Sequence, residues 1–122
     1  MARPFRLTAP VASENDIEAG CMTILALHHY WVVKLHAGVF KSLDDRRHIH
    51  GVKKGTPDYI CAHEIHRNFL LEVKRPGGVL SLDQQVQIEF LKRNYGLPIV
   101  VVESAEELCN FLAQHEHPPR SP

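Results

Sequence analysis

An α/β domain, with one mixed central sheet flanked by helices, is what this sequence predicts, and three observations predict it. The chain has 122 residues, the size of one domain with a real core. Three segments read as capped helices and four short apolar or β-branched runs read as strands. The last strand also follows its predecessor through a helix, and such a strand–helix–strand unit closes right-handedly into a parallel pair.

Residues 1–12 hold two Pro and two Arg without periodicity and read as a loose arm. Ser13 is placed to cap a helix, with Asp16 three positions on as a variant capping box and Glu14 favoured by the helix dipole. That helix is expected from Glu14 to His29, with Ile17, Cys21, Ile24, Leu25 and His28 on one face. Tyr30 to Leu35 is aromatic and β-branched, hence a strand. Between Gly38 and Gly55 the periodicity fades into a hairpin or mobile loop. Gly55-Thr56-Pro57 turns into a strand at Asp58–Ala62, a polar link follows, and Asn68–Lys74 is the next strand. Pro76-Gly77-Gly78 breaks the chain.

Ser81 then caps a helix running to Asn94 or Tyr95, and Gly96 stands where a C-terminal cap belongs. Leu97–Val102 is a continuous apolar run, expected of a strand buried on both faces. Ser104 caps a last helix through about Gln114, and His115–Pro122 reads as a tail. The domain is therefore expected over residues 13–114. The order is helix, three strands, helix, strand, helix, with the three early strands able to form a meander.

Bulk properties exclude more than they suggest. With 14 basic and 14 acidic residues, overall charge makes no case for nucleic acid, so any case rests on where charges sit. Cys21, Cys61 and Cys109 are far apart and form no Cys-x-x-Cys pair, which argues against a zinc knuckle or a disulfide framework. No apolar run is long enough to span a bilayer, and the N-terminus lacks a signal-peptide core. A reducing cytoplasm and no membrane are expected.

The chemistry concentrates at the end of one strand. Alternate side chains share a face, so Leu70, Glu72 and Lys74 point one way and Phe69, Leu71 and Val73 the other. Two ionisable groups thus emerge together from a buried strand, where a charge needs a partner or a metal. Asp58 opens the preceding strand and can reach Glu72. Two close carboxylates repel, and a hard divalent cation such as Mg²⁺ relieves this. Lys74 would stand beside it to steady a phosphate oxygen or an attacking water. On the first helix Glu14 falls inside the apolar stripe and Glu18 nearer its edge. On the second long helix Gln84 aligns with Ile88, Leu91 and Tyr95 toward the sheet, whereas Gln85 aligns with Glu89 and Lys92 toward solvent.

Gly55-Thr56-Pro57-Asp58, Leu71-Glu72-Val73-Lys74-Arg75-Pro76-Gly77-Gly78, and Leu80-Ser81 with Gln84 together resemble the VRR-NUC branch of the PD-(D/E)XK nuclease superfamily. The resemblance spans roughly Ser13 to Leu112 and implies a restriction-endonuclease-like αβββαβ core. It implies metal ligation by Asp58, Glu72 and the backbone carbonyl of Val73, with Glu14 as the acidic residue of helix one and Glu18 as second choice. Lys74 would be the catalytic lysine and Gln84 an active-site polar contact. The implied reaction is hydrolysis of a DNA phosphodiester by a metal-activated water with Mg²⁺ or Mn²⁺. Stand-alone relatives of this size, of phage or bacterial type, are often homodimers that cut branched DNA such as Holliday junctions.

Competing readings exist for each feature. Asp58 suits the start of a strand after a Pro turn, Glu72 and Lys74 suit a surface pair on an edge strand, and Glu14 suits a helix N-terminus. His63-Glu64-Ile65-His66 lacks the His-Glu-x-x-His spacing and falls in a turn, so it is set aside as a metal site. Lys41, Arg46, Arg47, Lys53 and Lys54, with Arg75, are candidates for sequence-independent phosphate contacts, although most such runs are solvated faces. A non-catalytic DNA-binding or assembly module, or an RNA-directed nuclease, is the alternative function.

Overall fold

Ser13 starts helix α1 (Glu14–Leu27) with a complete capping box: its hydroxyl accepts from the Asp16 N–H, and the Asp16 carboxylate accepts from the Ser13 N–H. A computed structural model describes residues 12–36, 39–41 and 48–118, with only the backbone described at 39–41 and 48–50. The strands are β1 (Trp31–Lys34), β2 (Val39–Lys41), β3 (His48–His50), β4 (Tyr59–Ala62), β5 (Phe69–Val73) and β6 (Ile99–Val102). Helices α2 (Leu82–Tyr95) and α3 (Ala105–Glu116) complete the order.

The main sheet runs β1-β4-β5-β6. β1, β4 and β5 pair antiparallel as the expected meander, and β6 joins β5 in parallel across α2. The stretch expected as a hairpin or loop forms a separate antiparallel pair, β2 with β3. Residues 1–11, 37–38, 42–47 and 119–122 lie outside the described residues, and with them all but the last residue of the expected arm, as well as Arg46 and Arg47.

Strand alternation divides the core into two layers. Val32, Tyr59, Cys61, Phe69, Leu71, Val73, Val100 and Val102 pack under α1 and α3, against Ile17, Cys21, Leu25, Leu108 and Leu112. The opposite face presents Ile60, Leu70, Ile99 and Val101 to Ile88 and Leu91 of α2. α1 packs tightly on the start of α3 at Gly20, where an added Cβ would stand 3.3 Å from that of Ala105. Full burial of a leucine such as Leu25, Leu71 or Leu108 contributes about 2 kcal/mol each.

Several element ends depart from the sequence expectation for physical reasons. α1 stops at Leu27 because His29 adopts a left-handed conformation (φ 66°), which reverses the chain into β1. His28, expected on the apolar stripe, is half-buried and caps the helix. α3 runs to Glu116, two residues past the expected end, because its last turn is tied to the end of α1 by His28–Glu116 (2.9 Å) and to the β4–β5 link by His115 Nε2 donating to the Arg67 carbonyl (2.6 Å). β6 is an edge strand, so Ile99 and Val102 are buried while Val100 and Val101 are half-buried, short of the expected burial on both faces. Tyr95 was expected toward the sheet but is exposed, since it is the last residue of α2 before Gly96 turns left-handed (φ 61°).

Candidate active site

Two turns and two helix starts converge at one end of the sheet. The first turn, Gly55-Thr56-Pro57, is fixed by the Thr56 hydroxyl and N–H, both donating to the Lys53 carbonyl (2.6 and 3.1 Å). Gly55 has φ +90°, and a Cβ there would lie 2.3 Å from the carbonyl oxygen of Asp83. Only glycine lets this turn press against the start of α2. In the second turn, Gly78 N–H donates to the Arg75 carbonyl (2.8 Å), with Pro76 and then Gly77 (φ +75°) at the centre. That is type II geometry, which calls for Gly at the third position.

Asp58 and Glu72 meet where β4 and β5 end. The β4–β5 register pairs Tyr59 with Leu71, so Asp58 falls opposite Glu72. Asp58 N–H donates to Glu72 Oε2 (3.0 Å), and Val73 N–H donates to Asp58 Oδ2 (3.2 Å). Glu72 Oε1 accepts from Gln84 Nε2 at 2.8 Å and lies 3.6 Å from Lys74 Nζ. Only 2% of the Glu72 side chain is exposed, against 18% for Lys74, so this is a buried carboxylate served by an amide, a peptide N–H and an ammonium. Burial first, and repulsion from Asp58 second, raise the Glu72 carboxyl from 4.5 to about 7, with Lys74 pulling the other way.

The peptide group between Val73 and Lys74 gives one more ligand direction. Lys74 N–H donates to the Val102 carbonyl of β6 (2.9 Å), and the described residues hold no cis peptide. A trans unit points its C=O opposite to its N–H. The Val73 carbonyl is therefore aimed away from β6, on the side of β4 and Asp58.

α1 adds two acids. One carboxylate oxygen each from Glu14, Glu18 and Asp58 all lie within 4.8 Å of one another. Among the described residues no Lys or Arg pairs with any of the three. Both helix acids join, because residues four apart share a helix face. The i, i+4 spacing was the sequence signal for Glu18 as an equal partner of Glu14. Glu72 stands outside this trio and is linked to it through Asp58. All donors here are carboxylate or carbonyl oxygens, the hard ligand set that Mg²⁺ and Mn²⁺ take, so the residues fit such an ion.

The remaining candidates are spread around this centre. Lys53 and Arg75 are exposed, and Lys54 is exposed and paired to Asp83 (3.3 Å). The side chain of Lys41 lies outside the described residues, like Arg46 and Arg47. Gln85 faces solvent as expected, its amide donating to the Leu80 carbonyl (3.0 Å). Gln87, 8% exposed on the sheet side of α2, was not singled out from the sequence; its alignment between Gln84 and Leu91 was the signal.

With this geometry in place, the comparison with known families is decisive: the VRR-NUC domain matches residues 15–106. This chain belongs to the VRR-NUC family. No curated protein and no solved structure matches it. The VRR-NUC match covers Glu18, Asp58, Glu72, Lys74 and Gln84, and begins one residue after Glu14. The mixed sheet and three helices are compatible with a restriction-endonuclease-like core. A VRR-NUC domain is a nuclease-type domain that binds DNA, and its acidic cluster points to a divalent cation. Among the described residues no helix is long and apolar enough to cross a membrane.

Proposed function

We propose that the protein is a Mg²⁺- or Mn²⁺-dependent DNA endonuclease acting on branched DNA. The observation that carries this reading is the convergence of Glu14, Glu18 and Asp58 beside a buried Glu72–Lys74–Gln84 group. Asp58, Glu72 and the Val73 carbonyl would hold the ion, with Glu14 or Glu18 completing the site from α1. A bound divalent ion supplies acidification of a coordinated water and neutralisation of phosphate charge.

The chain's own residues do the rest. Lys74 is held by Glu72 at the mouth of the site, where its ammonium donates to a phosphate oxygen or orients the attacking water. Water oxygen bonds to phosphorus as the water gives up a proton to solvent, the phosphorus–oxygen bond to the leaving strand breaks, and the leaving oxygen takes up a proton from solvent. Lys53, Lys54 and Arg75, with Lys41, Arg46 and Arg47, would contact the backbone without reading bases.

A homodimer belongs to the same proposal. Leu82, Val86 and Phe90 form an exposed apolar row on the outer face of α2, with Asp83 at its acidic first turn and Arg93 at its basic last turn. A second copy of this helix offers matching apolar area. Light scattering tests this: a dimer mass is expected, falling to a monomer in Val86→Glu. Three free cysteines suit a reducing cytoplasm.

The functional test is cleavage of matched four-way junction, flap, duplex and single-stranded DNA, and of RNA, with Mg²⁺, Mn²⁺ or EDTA. Metal-dependent cutting of junctions that disappears in Lys74→Ala is the expected result. Metal-independent binding without cutting by either protein would establish a non-catalytic module instead, and preferential cutting of RNA would reassign the substrate.

A further inference from the structure

The first turn of α2 touches both segments that carry the central carboxylates. Its Asp83 carbonyl lies against Gly55, three residues before Asp58, and its Gln84 amide reaches Glu72. Gln84 is at the same time the third residue of the helix and closes a capping box. Ser81 Oγ accepts from Gln84 N–H (3.1 Å), and Gln84 Oε1 accepts from Ser81 N–H (2.9 Å).

These contacts decide which way the Gln84 amide points. With its oxygen taken by the Ser81 N–H, its NH₂ group must face Glu72 Oε1. The flipped amide would set oxygen against carboxylate and NH₂ against N–H, two repulsions in place of two hydrogen bonds. A Glu at this position would satisfy the capping box equally well, but would present a carboxylate to Glu72. Gln serves both neighbours.

We infer that the backbone N–H of Ser81 is a positioning group for Glu72, acting through the Gln84 amide. It rests on the reading of Glu72 as a metal ligand. Glu72 Oε2 is held from the other side by the Asp58 N–H, so the plane of the carboxylate is set by two elements, the β4 entry and the α2 cap. Losing the Ser81 N–H frees the amide to flip and the carboxylate to rotate, with the helix otherwise intact. The Ser81 hydroxyl caps α2 but does not touch this relay.

Two substitutions at the same position separate these roles. Ser81 has φ −66°, which proline adopts without strain, so Ser81→Pro removes hydroxyl and N–H together, whereas Ser81→Ala removes the hydroxyl alone. Mn²⁺ affinity of the full chain is measured by calorimetric titration well below the melting temperature, which is recorded for each variant. Ser81→Pro is expected to bind Mn²⁺ at least about tenfold more weakly than Ser81→Ala, the scale on which an outer partner of a ligand acts. Gln84→Met, which keeps length and removes the amide, is expected to match Ser81→Pro and decides the question should the proline variant not fold. Equal Mn²⁺ affinity in Ser81→Pro and Ser81→Ala, or wild-type affinity in Gln84→Met, overturns the inference. A wild-type chain that binds no Mn²⁺ would instead overturn the metal-site reading itself.

Discussion

The two ends of the central sheet both gather titratable side chains, yet they treat them in opposite ways. At the far end, His63 accepts at Nδ1 from the N–H groups of Ile65 and His66 (3.0 and 3.3 Å), and its Nε2 donates to the His28 carbonyl (3.0 Å). His28 Nδ1 pairs with Glu116, and His115 donates to Arg67. The ring nitrogens bonded in this way are committed to protein partners, which leaves His63 no lone pair for a metal. At the near end three carboxylates crowd together with no Lys or Arg paired to them among the described residues, and a fourth is buried with its pKa raised to about 7. A satisfied network holds structure, whereas an unbalanced one stores affinity for a cation. Counting metal-ligating residue types would have favoured the histidines; following the hydrogen bonds favours the acids.

The largest effect that sharpens this contrast is expected at Lys74. Lys74→Ala should lower cleavage by roughly a hundredfold or more, on the scale of losing one preorganised electrostatic contact in a transition state. A single-turnover assay checks it, and near-normal cleavage would place the chemistry elsewhere. Next is Gly55→Ala, which forces a Cβ onto the Asp83 carbonyl at a positive φ. Destabilisation on the order of 2 kcal/mol or more is expected in urea unfolding, together with weakened Mn²⁺ binding, because the turn carries Asp58.

A pH series separates the two ends further. The Glu72 pKa is raised in the folded chain, so the metal-free fold keeps a proton that the unfolded chain releases above about 4.5. That contribution to stability is present at low pH and lost as pH rises toward and through 7. Mg²⁺ binds the ionised form, so its gain in melting temperature should be large at pH 8 and small at pH 5.5. Equal gains at both values would disconnect Glu72 from the ion. The smallest effect is expected at the far end: His28→Ala should cost about 1 kcal/mol in denaturant midpoint while cleavage stays at the wild-type rate. Lost cleavage in a well-folded His28→Ala would break the comparison.

Much of this was legible in the sequence because it follows from short-range rules. Ser13, Ser81 and Ser104 cap the three helices, Gly96 ends α2, and strand alternation places Glu72 and Lys74 together on the face that Gln84 approaches. What was not legible depends on contacts between elements. Glu18 ranked behind Glu14 because the stripe of a lone helix does not show where a turn 40 residues later delivers Asp58. The extended end of α3 reflects His28 and Arg67, residues remote in sequence. The double duty of Gln84 needed the distance between the α2 cap and β5, which no propensity encodes.

One measurement addresses the acidic end directly: anomalous diffraction from crystals soaked in Mn²⁺. A peak bounded by Asp58, Glu72, the Val73 carbonyl and Glu14 or Glu18 is the predicted result. A peak among His28, His63 and His66, or none at saturating Mn²⁺, would contradict it.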